Sequence, residues 1–287
     1  MRFSRDHVRA AYEDACRREI EALKPGNVHL FADGHFMSAG QFLTSASVSS
    51  APLTDPGLPV GRRMLDAVRA TRLAVGTNTN LGIILLCAPL LRAAEMAGGE
   101  LLENLGKVLD EMDLEDTASV FEAIVLASPG GLGSAETHDV RETPKVRLVE
   151  VMQEAAGRDM IARQYVTRYD DVFGIGLVAL EEAIARGESG MWPTVFAYMA
   201  FLAGFPDSHV ARNHGAETAD RVQDEAIAVR ALLDAPGDEA ARIAILMDFD
   251  RHLKERAVNP GTSADLTVAS LLVHGLRFNL HKGSVDG

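Results

Sequence analysis

Apolar side chains recur at three- and four-residue steps along almost the whole chain, and this helical period most constrains the fold. Near the start, for example, Val8, Tyr12, Ala15 and Ile20 fall on one helical face. No segment shows convincing alternation of apolar and polar residues, the pattern typical of a strand. We therefore predict an all-α fold with about a dozen helices, in one compact domain over residues 1–287.

The segment from Leu81 to Ala88 is apolar on every side, which is typical of a helix buried at the centre of a domain. Pro89 follows directly and is expected to kink or end this helix, because proline lacks a backbone N–H. We expect the other periodic segments to pack around this central helix. The predicted helices cover residues 8–20, 38–51, 61–75, 80–97, 100–112, 117–127, 142–156, 171–186, 191–203, 208–233, 238–256 and 263–276.

Composition and charge exclude several classes of protein function. With 41 acidic against 28 basic residues the formal net charge is −13, and aromatic residues are only 6%, so we expect no nucleic-acid partner. The longest apolar run, Leu81 to Leu91, is too short to span a bilayer. Cys16 and Cys87 lie in apolar stretches, as free buried thiols do. We expect a soluble, cytoplasmic protein with a small-molecule partner and no membrane partner.

Two local patterns have alternative interpretations. Residues 174–179 match a loose dinucleotide-binding pattern, but no strand is predicted before them, so we interpret them as helix packing. An ordered set of His35, His138, Asp139 and Asp207 resembles the metal ligands of all-helical HD phosphohydrolases. The His-Asp pair lies in a glycine-rich region instead of a helix, which makes this the weaker interpretation.

Four polar, glycine-bearing segments interrupt the helices, and the first reads KPGNVH followed by DGH. A lysine, a proline and a glycine are typical of a helix end. Two histidines and an aspartate in the next residues are not needed for that purpose, and they suit proton transfer beside a phosphate-binding lysine. The candidate residues are Lys24, Gly26, Asn27, His29, Asp33 and His35.

The second segment, residues 76–82, reads GTNTNLG and precedes the central helix. Its Asn and Thr side chains are typical of a helix N-cap. The same position suits a phosphate, because a helix N-terminus presents free N–H groups and the positive end of its dipole. Both interpretations remain open for Asn78, Thr79 and Asn80.

The third segment, residues 206–215, starts with an aspartate that is typical of an N-cap. His209 and Arg212 then follow on one helical face. An arginine beside a carboxylate suits a phosphate and its magnesium ion. We therefore list His209 and Arg212 as substrate-binding or catalytic residues and Asp207 as a metal ligand.

The fourth segment, residues 259–266, reads NPGTSADL. Thr262 or Ser263 is expected to cap the last helix, and Asp265 fits a capping box. This structural interpretation accounts for the whole segment on its own. The functional alternative uses Asn259, Gly261 and Ser263 for phosphate and Asp265 for a metal.

Together, the ordered motifs KPGNVH, DGH, NTNLG, PDSHVAR and NPGTSADL resemble those of triphosphoribosyl-dephospho-CoA synthases, also called ATP:dephospho-CoA triphosphoribosyltransferases. The resemblance extends over nearly the whole chain and implies an all-helical enzyme of coenzyme biosynthesis. In that family a ribose hydroxyl of dephospho-CoA attacks the anomeric carbon of ATP. The triphosphoribosyl group moves to the acceptor and adenine leaves.

The resemblance implies Mg²⁺ as cofactor, ATP as substrate and an oxocarbenium-like transition state. Roles carried over from it are hypotheses for individual residues. Phosphate contacts are assigned to Lys24 and Arg212, magnesium binding or base catalysis to Asp33, Asp207 and Asp265, and acid catalysis to His29, His35 and His209.

The chain departs from the family pattern at three motifs. Asn80 and Leu81 stand where the family has a His-Lys pair, His29 stands in place of an acid, and Thr262 replaces a glycine. The NTNLG form resembles a divergent branch of archaea and methylotrophic bacteria. The acceptor therefore stays open, as does a homodimer formed through an apolar helix.

Two other functions remain as alternatives. One is a different enzyme on the same frame, such as a ligase or phosphohydrolase for a C1-carrier coenzyme like methanopterin or methanofuran. The other is a non-catalytic nucleotide-binding protein.

Overall fold

Fourteen α-helices and one five-residue π-helical segment form the part of the chain that the computed structural model describes, residues 3–31, 38–130, 139–235 and 238–282. No strand occurs in these ranges, so the all-α prediction is confirmed. The helices are α1 (Arg5–Glu21), α2 (Ala39–Leu53), α3 (Val60–Val75), α4 (Leu81–Glu95), α5 (Leu101–Glu111), α6 (Leu114–Ala127), α7 (Leu148–Ala155), α8 (Met160–Thr167), α9 (Leu177–Ala185), α10 (Trp192–Gly204), α11 (Ser208–His214), α12 (Ala216–Asp234), α13 (Glu239–Glu255) and α14 (Gly261–Lys282).

The predicted central helix is α4, and nearly all of its side chains are buried. It continues through Pro89 to Glu95, so the alternative of a helix end at the proline is wrong. Packing on every side of α4 outweighs the one hydrogen bond that Pro89 does not donate. A second central element is α14, which packs against α1, α4, α8, α9, α10 and α11.

Two large buried apolar clusters hold most of the described helices together, and a third, small cluster joins Ile20, Val28 and Ala39. The largest contains side chains of α1, α3, α4, α5, α6 and α14, and the second joins α10 to α12 and α13. Cys16 and Cys87 are free and buried, as expected. No helix in the described ranges is long and apolar enough to cross a membrane.

The helix prediction needs correction at four places. The segment predicted as 208–233 is two helices, because Gly215 between them has a φ of 87°. The segment 171–186 starts with the π-helical turn Val172–Gly176. The helix α8 was not predicted, and α7 begins later than expected.

Residues 174–179 pack between helices, as predicted. A side chain at Gly176 would overlap Phe201 and Ser270, so the glycine allows the π-helical turn to approach α10 and α14 closely.

Candidate active site

The four polar segments meet at one cavity of about 820 Å³. They come from widely separated parts of the chain and approach one another at the ends of α1, α4, α11 and α14. The structure therefore brings half of the sixteen predicted site residues together at the cavity. Those that line the cavity are Asn27, Asn78, Thr79, His209, Arg212, Asn259, Gly261 and Asp265.

Asp265 presents an unpaired carboxylate in this cavity. No other group in the described ranges hydrogen-bonds to it. The side chain rests against Gly82 in the first turn of α4, where a Cβ would lie 2.6 Å from Asp265 Cγ. Burial raises the pKa of Asp265 well above its usual value, and the negative charge of Glu19 adds to this effect. A cation beside this group would favour its ionised form and oppose the shift.

Glu19 is a second carboxylate in the cavity wall, and the sequence analysis missed it. Its Oε1 lies 2.6 Å from Lys24 Nζ. Burial raises the pKa of Glu19, and the lysine opposes this shift. Glu19 lies in a helix with many exposed acids and bases, so nothing in its sequence context indicates a site.

Three arginines line the same cavity: Arg72, Arg158 and Arg212. Arg212 Nη1 lies 3.4 Å from Asp159 Oδ2, whereas Arg72 and Arg158 each donate to a backbone carbonyl of their own region. Guanidinium groups bind phosphate oxygens in a bidentate way. The cavity thus combines three cations suited to a polyphosphate with five acidic side chains, which are Glu19, Asp139, Glu154, Asp159 and Asp265.

His209 has a defined tautomer. Its Nδ1 lies 2.8 Å from the backbone oxygen of Asn259. Because a carbonyl oxygen only accepts, Nδ1 carries the proton, and Nε2 of the neutral ring has a free lone pair. His209 lines the cavity, so it is suited to accept a proton there.

Lys24 does not line the cavity, and its ammonium group is fully buried behind the wall. Besides Glu19, it binds Asn27 Oδ1 at 2.9 Å and the backbone oxygen of Val28 at 2.6 Å. Burial lowers the pKa of Lys24, and Glu19 opposes the shift. The predicted phosphate contact is wrong for this residue, because all its hydrogens point to protein acceptors.

Gly26 and His29 also lie outside the cavity, in a buried cluster around Asp250. Asp250 Oδ1 accepts a hydrogen bond from Gly26 N at 2.8 Å and lies 3.2 Å from His29 Nε2. Lys254 Nζ lies 3.0 Å from Asp250 Oδ2. Burial lowers the pKa of His29. The predicted phosphate contact of Gly26 and acid role of His29 are therefore corrected to structural support of the loop.

Asp207 is a double cap. Its Oδ1 accepts from the backbone N–H groups of His209 and Val210 at 2.9 and 3.1 Å, and its Oδ2 accepts from Ser263 N and Oγ at 2.7 and 2.8 Å. These four bonds use the lone pairs of both oxygens. The predicted metal role of Asp207 and phosphate role of Ser263 are therefore wrong, since both side chains are buried and engaged.

The segment before α4 has both capping and cavity-lining residues. Asn78 Oδ1 accepts from Leu81 N at 3.1 Å, and Thr79 Oγ1 donates to Ser45 Oγ at 2.6 Å. Asn80 is buried against α2 and does not line the cavity, so its predicted phosphate contact is not supported. Leu81 does line the cavity, at the position where the family motif has a lysine.

One side of the cavity is apolar, and the sequence analysis did not identify it. The side chains come from α2, α4, α6 and α7, where they follow ordinary core periodicity. They are Phe42, Ile83, Leu85, Phe121, Ile124, Leu148, Val151 and Met152.

Some predicted residues lie outside the described ranges, namely Asp33, His35 and His138. Asp139 lines the cavity. Among the described residues, no group of three or more His, Cys, Asp or Glu side chains is placed to hold a metal ion. The HD phosphohydrolase interpretation also loses Asp207, whose oxygens are engaged in capping.

An all-helical frame around a cavity with arginines, carboxylates and an apolar wall is suited to an enzyme that acts on a nucleotide or a similar polyphosphate. The model of the ATP:dephospho-CoA triphosphoribosyl transferase family matches residues 5–283. The chain therefore belongs to this family and is a transferase of coenzyme biosynthesis.

A solved structure supports the same assignment. It is that of a candidate triphosphoribosyl-dephospho-CoA synthase from Archaeoglobus fulgidus, with 26% sequence identity and a TM-score of 0.64. The similarity covers 80% of this chain and 96% of that one. No curated protein sequence matches this chain.

Proposed function

We propose that this chain transfers the triphosphoribosyl group of magnesium-bound ATP to a hydroxyl group of dephospho-CoA or a related coenzyme precursor, with release of adenine. One observation supports this function best. Among the described residues, three arginines and five carboxylate side chains line a cavity of about 820 Å³ that also has an apolar wall, and the carboxylate of Asp265 is unpaired. A polyphosphate, a metal ion and a flat base each find suitable groups there.

The triphosphate fits the cationic side of the cavity. Arg72 approaches from α3, Arg158 from the loop that follows α7, and Arg212 from α11. Charge-assisted hydrogen bonds from guanidinium groups are shorter and stronger than neutral ones. The adenine base would contact the apolar lining side chains, among them Phe121 of α6 and Leu148 of α7. This arrangement would place the ribose between the two sides.

Mg²⁺ fits the two carboxylates, Glu19 and Asp265. Magnesium in nucleotide sites is usually held by one or two carboxylates together with phosphate oxygens and water. The carboxylate of Asp265 has no hydrogen-bond partner among the described residues and lines the same cavity as Glu19, which favours a cation here. When bound, the ion would neutralise part of the triphosphate charge.

His209 is proposed as the base that accepts the proton of the attacking hydroxyl. The acceptor oxygen forms a bond to the anomeric carbon of ATP, and the bond from that carbon to the adenine nitrogen breaks. The hydroxyl proton passes to His209 Nε2, and adenine leaves with the bonding electron pair and takes up a proton. General base catalysis of this kind contributes roughly 10²- to 10⁴-fold in rate.

Product analysis tests the function. The protein would be incubated with magnesium ATP and dephospho-CoA, then with a small-molecule extract, and the products identified by mass spectrometry. Free adenine and an acceptor that has gained a triphosphoribosyl unit are expected. ADP or AMP without adenine would instead indicate a ligase or phosphohydrolase, and tight ATP binding without any product would indicate a binding protein.

Asp265→Asn provides a test of the proposed metal site that does not depend on turnover. We expect the affinity for magnesium ATP, measured by calorimetry, to fall while the melting temperature hardly changes, because this carboxylate caps no helix. Loss of melting temperature with unchanged ATP affinity would contradict the metal role. Asp110→Asn, on an exposed carboxylate of α5 away from the cavity, is the matched control.

A further inference from the structure

A chain of hydrogen bonds joins two side chains that line the cavity, and at its last step it passes from the side chain to the backbone of Asn259. It starts at Glu19 in α1 and ends at His209 in α11. Four bonds, each between 2.6 and 2.9 Å, connect them through three intermediate residues. In order they are Glu19 Oε1 to Lys24 Nζ (2.6 Å), Lys24 Nζ to Asn27 Oδ1 (2.9 Å), Asn27 Nδ2 to Asn259 Oδ1 (2.8 Å) and the backbone oxygen of Asn259 to His209 Nδ1 (2.8 Å).

We propose that Lys24, Asn27 and Asn259 are positioning residues of the transferase reaction, which hold Glu19 and His209 in their reactive orientation. This inference rests on the proposed function, in which those two side chains act on the substrate. It assigns the lysine of the KPGNVH motif to the support of the site instead of to a phosphate.

Burial makes this chain rigid. Lys24 is fully buried and Asn27 is 5% exposed, so water does not compete for their hydrogen bonds. The ammonium group of Lys24 has three acceptors, namely Glu19, Asn27 and the backbone oxygen of Val28, and the side-chain amide of Asn27 bonds to Lys24 and Asn259. Removing one link leaves a buried donor or acceptor unpaired, and the neighbouring side chains then rearrange to satisfy it.

Asn27 is the link at which one substitution removes two hydrogen bonds of the chain. Its Oδ1 accepts from Lys24, and its Nδ2 donates to Asn259. Asn27→Leu has a similar shape but makes neither bond. Asn27→Asp keeps the acceptor for Lys24, and the amide of Asn259 can turn to donate to the new carboxylate. The aspartate variant is therefore expected to restore what the leucine variant loses.

The first measurement follows the imidazole of His209 directly. In protein labelled with ¹⁵N-histidine, its two ring nitrogens report the tautomer, and His209→Gln identifies its signals among those of the nine histidines. We expect a single Nδ1–H tautomer in the wild type and in Asn27→Asp. In Asn27→Leu we expect a mixture of tautomers or exchange-broadened signals.

The second measurement is steady-state kinetics of adenine release. Residues that hydrogen-bond to a reactive side chain and orient it typically contribute about 10- to 100-fold in activity. We expect Asn27→Leu to lower kcat by that factor with a KM for ATP within about threefold of wild type, and Asn27→Asp to stay close to wild type. Asn259→Ala also removes the hydrogen bond between Asn27 and Asn259, at a residue that is only half-buried. It replaces Asn27→Leu in these measurements if the leucine variant does not fold.

Asn104→Leu is the matched control. Asn104 is also buried and donates to the backbone oxygen of Gly98 at 2.8 Å, but it lies in α5 away from the cavity. This variant should lose stability without changing the His209 signals or kcat.

Three results would overturn the proposal. The first is a folded Asn27→Leu variant whose His209 signals and kcat equal those of the wild type. The second is a rise in the KM of Asn27→Leu without a fall in its kcat. The third is an equal fall of kcat in the Asn104→Leu control. If the wild-type protein releases no adenine, the proposed function fails, but the ¹⁵N spectra of Asn27→Leu still decide whether the chain orients His209.

Discussion

Gly82→Ala is the substitution for which the structure gives the sharpest expectation. A Cβ at this residue would lie 2.6 Å from Asp265 Cγ and 2.8 Å from Ile161 Cδ1. Carbon atoms in favourable contact are about 3.5 Å apart, so the carboxylate of Asp265 must retreat by roughly 1 Å. A displacement of that size costs about 100-fold in rate when the group contacts the reacting substrate.

Stability should change far less than activity. Alanine stabilises a helix interior by about 1 kcal/mol relative to glycine, whereas overpacking costs about 1–3 kcal/mol. The expected net loss is therefore at most about 2 kcal/mol, or a few degrees in Tm. Calorimetric affinity for magnesium ATP, the rate of adenine release and a thermal melt would measure these three effects.

Gly275→Ala is the matched control for this prediction. Gly275 lies in α14, the helix that carries Asp265, and no heavy atom lies within 4 Å of a Cβ built there. The control should gain a little stability and keep full activity. Wild-type ATP affinity and turnover in Gly82→Ala would refute the placement of Asp265 at the substrate.

Three further predictions concern stability, specificity and pH. Asp207→Ala should cost about 3 kcal/mol or more in urea unfolding, because it leaves buried N–H groups of two helices unpaired; a loss below 1 kcal/mol would contradict the double cap. Leu81→Lys should lower KM for dephospho-CoA by about 10- to 100-fold if an anionic acceptor group lies there, and an unchanged KM would place the acceptor elsewhere. Burial, with the charges of Arg18 and Arg277, lowers the pKa of His274 to about 4. Because the unfolded chain binds this proton near pH 6.5, stability should fall as pH drops from 6.5 towards 4, and His274→Gln should reduce that slope in urea titrations.

Most of the fold was predictable because helical periodicity is a local property. The central helix α4 and the ends of α3 and α10 follow from apolar spacing and from glycine or proline at the boundaries. The break at Gly215 was missed because periodic residues continue on both sides of it. The short helix α8 was missed because eight residues give too few periods to recognise.

The site was predictable only in part, for a different physical reason. Motif spacing led to His209, Arg212 and Asp265, which line the cavity. It gave wrong roles for Lys24 and Asp207, since spacing does not show whether a charged group points to substrate or to a buried partner. Glu19, Arg72 and Arg158 lie in ordinary charged helix contexts, so only the three-dimensional arrangement identifies them.

The double cap at Asp207 has a consequence for the order of folding. One carboxylate closes the first turns of α11 and α14, and α14 also contributes Asp265 to the cavity. Glu19, near the other end of the described chain, lines the same cavity. Contacts between such distant residues form late, because a long loop must close first. A fragment that ends before α14 would therefore lack the hub helix and the unpaired carboxylate, so nucleotide binding should emerge only when α14 docks.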